Sequence, residues 1–127
     1  MSAWKPCLTS NSDFINIRSI VGQMPVAGAA VYSATKAAVD AVTVSLSKEL
    51  GPRRIRVNSL SPGMVETEGL HAVSFAESDF RKMLESQTPL GRIAQPEDIA
   101  RAAVFFASDD AGWVTGQTLL LARGQRQ

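Results

Sequence analysis

Three short apolar runs separated by helix-forming stretches constrain the fold of this 127-residue chain more than any other feature. The runs lie at Phe14–Arg18, Ile55–Leu60 and Thr118–Leu121, and turn-forming residues bound them. Helical patterns occupy Tyr32–Leu50 and Ile99–Ser108. Strands that alternate with helices indicate an α/β layer fold. The sequence therefore predicts a three-stranded parallel sheet with flanking helices.

Composition excludes several classes of protein. Hydrophobic residues make up 45% of the chain and charged residues 20%, which is typical of soluble globular domains. The net charge of +1, without a basic cluster, gives no sign of nucleic-acid or membrane partners. No apolar run has spanning length, and residues 1–11 lack the pattern of a signal peptide. The single cysteine, Cys7, excludes an internal disulfide and fits a reducing compartment, so we expect a cytoplasmic protein. With one cysteine and one histidine, His71, the chain has too few ligands for a zinc site, so we expect no metal.

Tyr32 and Lys36 stand four residues apart, so in a helix they lie on one face, one turn apart. A phenol has a reference pKa near ~10 and is a poor acid–base group at neutral pH. A fixed ammonium about 4 Å away, at an effective dielectric of about 20, favours a phenolate by roughly 4 kcal/mol before solvent losses. Such a pair can exchange a proton with a substrate oxygen. The alternative is a partly exposed tyrosine and a solvated lysine on an ordinary helix.

Other motifs favour the first alternative. Ser19 follows the first strand, thirteen positions before Tyr32. The run Ser61-Pro62-Gly63 follows the second strand, and Trp113-Val114-Thr115-Gly116-Gln117 precedes the third. In this order, from about Phe14 to Gly124, the motifs resemble the C-terminal half of a short-chain dehydrogenase/reductase. The pattern is similar to that of 3-oxoacyl-(acyl-carrier-protein) reductase-like members.

The resemblance implies a partial Rossmann-like, doubly wound fold whose first half is missing. It also implies an oxidoreductase that uses NAD or NADP to move a hydride to or from a small-molecule carbonyl or alcohol. Tyr32 would be the acid–base group, and Lys36 would favour its phenolate form. Both residues would also contact the cofactor, and Ser19 would orient the substrate oxygen; without the resemblance, Ser19 is a serine that caps a turn.

The segment after the second strand is implied to lie against the nicotinamide. Pro62 and Gly63 shape the exit from the strand, where a glycine permits close backbone approach to a ligand. Val65 would bond the carboxamide through its backbone, and Thr67 would contact the amide or a phosphate. The alternative is an ordinary Pro-Gly turn.

One absence bears on cofactor binding. A dinucleotide site needs a glycine-rich turn that opens a helix, and a charged residue about twenty positions later. No glycine precedes Phe14, and no later stretch has that plan. We therefore expect a truncated member that is inactive alone, with an irregular segment at 1–13 and the C-terminal half of a Rossmann domain at 14–127. The alternative function is an interaction module that keeps the family's oligomerisation helix.

A stripe of small residues runs along the predicted helix that starts at Tyr32, formed by Ala34, Ala37, Ala38 and Ala41. The stripe either contacts the chain's own sheet or, as the resemblance implies, pairs subunits in a homo-oligomer. The first strand has an unpaired edge, so we also expect marginal stability as a monomer and self-association. The family uses the region Glu68–Thr88 as a substrate lid.

Two positions depart from the family pattern. Arg18 stands where a small residue is usual, and it is expected either to crowd the site or to point to solvent. Ala122-Arg123-Gly124 replaces an Asp-Gly-Gly-type turn. Within the second predicted helix, Val104, Phe105 and Phe106 are expected to form core.

Overall fold

The computed structural model describes residues 11–68, 79–122 and 124 of the chain. The strands are β1 (Asp13–Ile17), β2 (Arg56–Pro62) and β3 (Thr118–Leu121), and the helices are α1 (Ala30–Leu50), α2 (Asp79–Ser86) and α3 (Pro96–Phe106). Single 3-10 turns occur at Ile20–Gly22, Gly51–Arg53 and Asp109–Ala111. The predicted strands and helices are confirmed, with ends that shift by up to three residues.

The three strands form one parallel sheet in the order β1–β2–β3. Phe14 of β1 lies beside Val57 of β2, and Ser59 of β2 lies beside Thr118 of β3. The central strand is almost wholly buried, as a strand covered on both faces must be. All three strands end at the same edge of the sheet, and this edge is where ligands bind in open parallel sheets.

The two longer helices cover opposite faces of the sheet. On the α1 side, Leu50, Ile55 and Val57 form a buried cluster against Phe14. On the α3 side, a second cluster contains Leu60, Phe106 and Ala111, with Ile15, Ile99 and Leu121 packed against it. Full burial of one such aliphatic or aromatic side chain stabilises the fold by about 1.5–3 kcal/mol. The small cores on each face therefore hold the helices to the sheet.

Helix α1 contacts the sheet mainly through small polar residues. Its buried residues are Ser33, Thr43, Ser47 and Leu50. A Cβ atom placed on Gly116 would lie 2.8 Å from the Ser47 hydroxyl, so the helix backbone lies close to the loop before β3. The alanine stripe, in contrast, is exposed. The alternative in which these alanines contact the chain's own sheet is therefore wrong.

The predicted core of α3 needs a correction. Phe106 is 3% exposed, but Val104 is 69% exposed and Phe105 is 42% exposed. Consecutive residues project about 100° apart around a helix, so one face cannot bury all three side chains. The prediction was wrong for Val104 and Phe105 because it followed composition rather than helical spacing.

Some predictions fall on residues outside the described ranges. They concern residues 1–10, with Cys7, most of the predicted lid, with His71, and Arg123. In the described part of the chain, no helix is both long enough and apolar enough to span a bilayer. Within the same ranges, no group of three or more His, Cys, Asp or Glu side chains is arranged to hold a metal ion.

Candidate active site

Ser19 lies just beyond the carboxyl end of β1. The Arg18 amide donates to the Leu60 carbonyl at 2.9 Å, which extends the pairing of β1 with β2 by one residue. Ser19 then caps the Ile20–Gly22 turn, where its hydroxyl oxygen accepts a hydrogen bond from the Val21 amide at 3.5 Å. This contact is long and uses only a lone pair of the oxygen. The turn-capping role is thus present, and it leaves the hydroxyl proton available to a substrate oxygen.

Tyr32 and Lys36 lie in the first two turns of α1. The Lys36 ammonium nitrogen is 5.6 Å from the centroid of the Tyr32 ring, which is within the range of a cation–π contact. The Tyr32 side chain is 51% exposed. The two side chains therefore lie on one face of the helix, as their spacing predicts, and the phenol is open to a ligand.

Gly22 brings the Ser19 turn against the start of α1. A Cβ atom at Gly22 would lie 2.9 Å from both the Lys36 carbonyl carbon and the Ala37 nitrogen. Real Cβ atoms do not approach backbone atoms so closely, so only a glycine fits this position. The turn that Ser19 caps thus packs directly on the backbone of Lys36.

Arg18 does not point to solvent. Its side chain is 0% exposed, and Nη1 lies 2.8 Å from a carboxylate oxygen of Asp40 on α1. Nε, Nη1 and Nη2 are all buried, and none makes a hydrogen bond of good geometry among the described residues, so the contact of Nη1 with Asp40 is an ion pair only. The prediction that Arg18 points to solvent is wrong, because the guanidinium is buried in an ion pair with the carboxylate of Asp40 on α1.

The exit from β2 is packed tightly against the end of β3. The Gly63 amide donates to the Leu121 carbonyl at 3.1 Å. A Cβ atom at Gly63 would lie 3.3 Å from the Ala122 Cα atom, so a larger residue would fit only if one segment moved by a few tenths of an ångström. Pro62 and Gly63 therefore direct the following residues past the end of the sheet.

The next residues pair with a short segment before α3. The Ala94 amide donates to the Met64 carbonyl at 3.2 Å, and the Glu66 amide donates to the Ala94 carbonyl at 2.8 Å. Because this parallel bridge uses residues 64 and 66, the amide and carbonyl of Val65 point to the other side. Neither group has a backbone partner among the described residues, and Thr67 beyond them is exposed.

A carboxylate in the same segment anchors helix α2. Glu66 accepts hydrogen bonds from Arg81 Nη1 and Nη2 at 3.1 and 3.4 Å and from Gln95 Nε2 at 2.7 Å. Arg81 also donates to Glu85 at 3.0 Å. The hydrogen bonds to Glu66 and then Glu85 raise the pKa of the Arg81 guanidinium. The helix in the predicted lid region is therefore tied to the segment that contains Val65.

A second ion pair holds the start of α3. Arg92 donates to both oxygens of Asp98 at 2.6 and 3.0 Å, and the Gln95 amide donates to Asp98 at 2.8 Å. These bonds, that from Arg92 foremost, lower the pKa of Asp98 well below its usual range. The hydrogen bond to Asp98 raises the pKa of Arg92.

The structure thus places the predicted residues at two neighbouring strand ends. Ser19, Tyr32 and Lys36 belong to the β1–α1 connection and the helix after it, and Pro62 to Thr67 follow β2. Sequence reasoning missed the residues that brace these positions, which are Asp40, Glu66, Arg81, Gln95 and Arg92. Except for Arg92, whose partner Asp98 is six residues away, their partners at the site are distant in the chain, and only the unusual Arg18 signalled a buried charge.

Comparison with known proteins decides the family. A family model described as enoyl-(acyl carrier protein) reductase matches residues 1–125. The chain belongs to the short-chain dehydrogenase/reductase family. It is therefore related by ancestry to the oxidoreductases of this family, as the motifs predict.

Two relatives illustrate the similarity. An uncharacterised oxidoreductase of Methylorubrum extorquens is 48% identical over 119 residues, which are 94% of this chain and 48% of the relative. A 3-oxoacyl-(acyl-carrier-protein) reductase of Pseudomonas aeruginosa is 43% identical over 105 residues, which are 83% of this chain and 41% of the relative. This chain thus spans about half the length of these short-chain dehydrogenases/reductases.

Solved structures support the same fold. A short-chain dehydrogenase/reductase from Brucella melitensis matches with a TM-score of 0.88 and 32% identity, over 97% of this chain and 49% of that one. A gluconate 5-dehydrogenase from Burkholderia cenocepacia, in complex with NADP and tartrate, matches with a TM-score of 0.81 and 35% identity, over 88% of this chain and 44% of that one. The predicted Rossmann-like class is confirmed.

Proposed function

We propose that this chain supplies the proton-transfer residues and the nicotinamide-binding segment of an NAD- or NADP-dependent oxidoreductase acting on a small-molecule carbonyl or alcohol. One observation carries the proposal. The turn capped by Ser19 packs on the backbone of Lys36, and the Lys36 ammonium lies 5.6 Å from the Tyr32 ring. Three groups suited to one substrate oxygen therefore come from the β1–α1 connection and the first two turns of α1.

Each group has a distinct role in the proposal. The Tyr32 hydroxyl transfers a proton to or from the substrate oxygen. The Lys36 ammonium, 5.6 Å from the centroid of the Tyr32 ring, contacts the cofactor beside the phenol. The Ser19 hydroxyl donates a hydrogen bond that orients the oxygen. The cofactor, when bound, carries the hydride, and the chain supplies position and electrostatics.

The segment after β2 fits the nicotinamide end of such a cofactor. The amide and carbonyl of Val65 point away from Ala94 and offer the complement of a carboxamide. Thr67 is exposed two residues later, where its hydroxyl can reach an amide or phosphate oxygen. The complex of the gluconate 5-dehydrogenase neighbour with NADP is consistent with this class of cofactor.

The phosphate end of the cofactor needs contacts that we do not find in the described residues. A glycine-rich turn that leads from a strand into a helix would supply them, and residues 11–68 and 79–122 hold no such motif. We therefore infer that the chain by itself binds NAD or NADP weakly.

A second candidate function rests on the outer face of α1. Val31, Val42 and Val44 of this helix are 80%, 49% and 41% exposed, and the alanine stripe lies exposed beside them. Small and β-branched residues on one face permit close helix packing against another copy. On this alternative, the chain is an interaction module that pairs through α1, and Tyr32 and Lys36 have no chemical role.

Titration of the purified chain with NADH and NADPH, followed by turnover of a generic ketone, tests these functions. The enzyme predicts binding and a turnover that Tyr32→Phe abolishes and Lys36→Met strongly lowers. Lys48→Met is the matched control, since Lys48 lies in the last turn of the same helix. Absence of binding and of turnover at high cofactor concentration would support the interaction module instead.

A further inference from the structure

The residue before Ser19 is a buried arginine with one charged partner. The Arg18 side chain is 0% exposed, and its Nη1 atom lies 2.8 Å from Asp40 Oδ2. A guanidinium removed from water is strongly disfavoured unless an opposite charge meets it. The ion pair therefore ties the residue before Ser19 to helix α1.

Asp40 lies on the same face of α1 as Tyr32 and Lys36. It follows Lys36 by four residues and Tyr32 by eight, so the three side chains project from one face. Its second oxygen accepts a hydrogen bond from the Thr118 hydroxyl at 2.9 Å. The carboxylate of Asp40 on α1 therefore contacts both Arg18, the residue before Ser19, and Thr118 at the start of β3.

The connection that carries Ser19 is held on both sides. Arg18 precedes Ser19 and is bound to Asp40, while Gly22 follows it and packs on the backbone of Lys36 and Ala37. A Cβ atom at Gly22 would also lie 2.6 Å from Arg18 Nη2, so the guanidinium fills the space between the turn and the helix. Without the guanidinium, the turn would keep its own backbone hydrogen bonds and the Gly22 contact, but it would lose its ionic link to helix α1.

We propose that Arg18 and Asp40 are positioning residues, whose ion pair sets the placement of Ser19 relative to Tyr32 and Lys36. Their link to catalysis rests on the proposed function, but their effect on the geometry does not. A displacement of about 1 Å at such a site can lower a rate by about a hundredfold, so a fixed spacing matters to the chemistry.

Fluorine NMR provides a test that needs no turnover. Tyr32 is the only tyrosine, so 3-fluorotyrosine incorporated during expression gives one signal from the proposed site. We expect Arg18→Ser to displace and broaden this signal. We expect the Arg18→Ser/Asp40→Ser double variant to give the same displacement as the single variant, because both remove one coupled pair.

Arg92→Ser is the control. It breaks the ion pair with Asp98 at the start of α3 and should leave the Tyr32 signal at its wild-type position. The double variant holds no unpaired buried charge, so it remains a folded test if a single variant unfolds. A double variant that melts cooperatively and keeps the wild-type signal would overturn the proposal.

Kinetics separate this proposal from the proposed function. If the wild-type chain turns over a ketone, Arg18→Ser should lower kcat by about a hundredfold with a smaller change in KM. If the wild-type chain shows neither cofactor binding nor turnover at high cofactor concentration, that result counts against the proposed function, yet a displaced fluorine signal in its variants still supports the positioning role. An unchanged kcat in a folded Arg18→Ser variant would overturn that role.

Discussion

At the residue scale, the site depends on close contacts that leave no room for a side chain. Gly22 is the clearest case, since a methyl group there would meet backbone atoms of α1 at 2.9 Å and the Arg18 guanidinium at 2.6 Å. Backbone atoms of a helix cannot give way as a flexible side chain can. The identity of this residue therefore controls how closely the Ser19 turn approaches Lys36.

Gly22→Ala should consequently destabilise the fold. Overpacking of this kind costs about 1–3 kcal/mol, because the turn must move away from α1 or the helix must shift. Chemical denaturation with urea, monitored by circular dichroism, measures the change. A variant with the wild-type free energy of unfolding would show that the turn and the helix are not in the contact described.

At the scale of elements, the alternation of apolar runs and helical patterns was enough to predict the strands, the long helices and the parallel sheet. The same patterns could not predict which helix residues face the sheet, as Val104 shows, nor the contacts that brace the site. Glu66 binds Arg81, fifteen residues away, and Gln95, twenty-nine residues away. Arg18 forms its ion pair with Asp40 on α1. Such pairings depend on the folded chain and have no local period.

Glu66→Gln should release helix α2 from the segment that contains Val65. The neutral amide keeps the shape of the side chain but loses the charge-assisted bonds from Arg81. Hydrogen exchange of the amides in residues 79–86 should accelerate several-fold while exchange in β2 stays unchanged. Glu85→Gln is the control, because it removes only a bond within α2; equal acceleration in both variants would contradict the anchoring role of Glu66.

Helix α3 should depend on pH through Asp98. Its pKa is lower in the folded chain than in the unfolded chain, so its contribution to stability is present above pH ~4 and is lost as the pH falls further. Thermal melts from pH 7 to pH 2 should show Asp98→Asn less stable than wild type at pH 7, with a gap that narrows below pH ~4. A gap of constant size across this range would contradict the ion pair with Arg92.

At the scale of the whole molecule, the exposed faces matter as much as the buried ones. The outer face of α1 carries exposed valines and alanines, and among the described residues no strand pairs with the outer edge of β1. We expect the chain to self-associate through α1, because helix pairing would remove this apolar surface from water.

Sedimentation velocity over a dilution series measures the association. Ala38→Glu should shift the chain toward the monomer by placing a charge in the pairing face, whereas Ala100→Glu, on an exposed position of α3, should leave the association unchanged. A compact, stable monomer at every concentration would contradict the pairing role of α1, and equal dissociation by both variants would assign the contact to another surface.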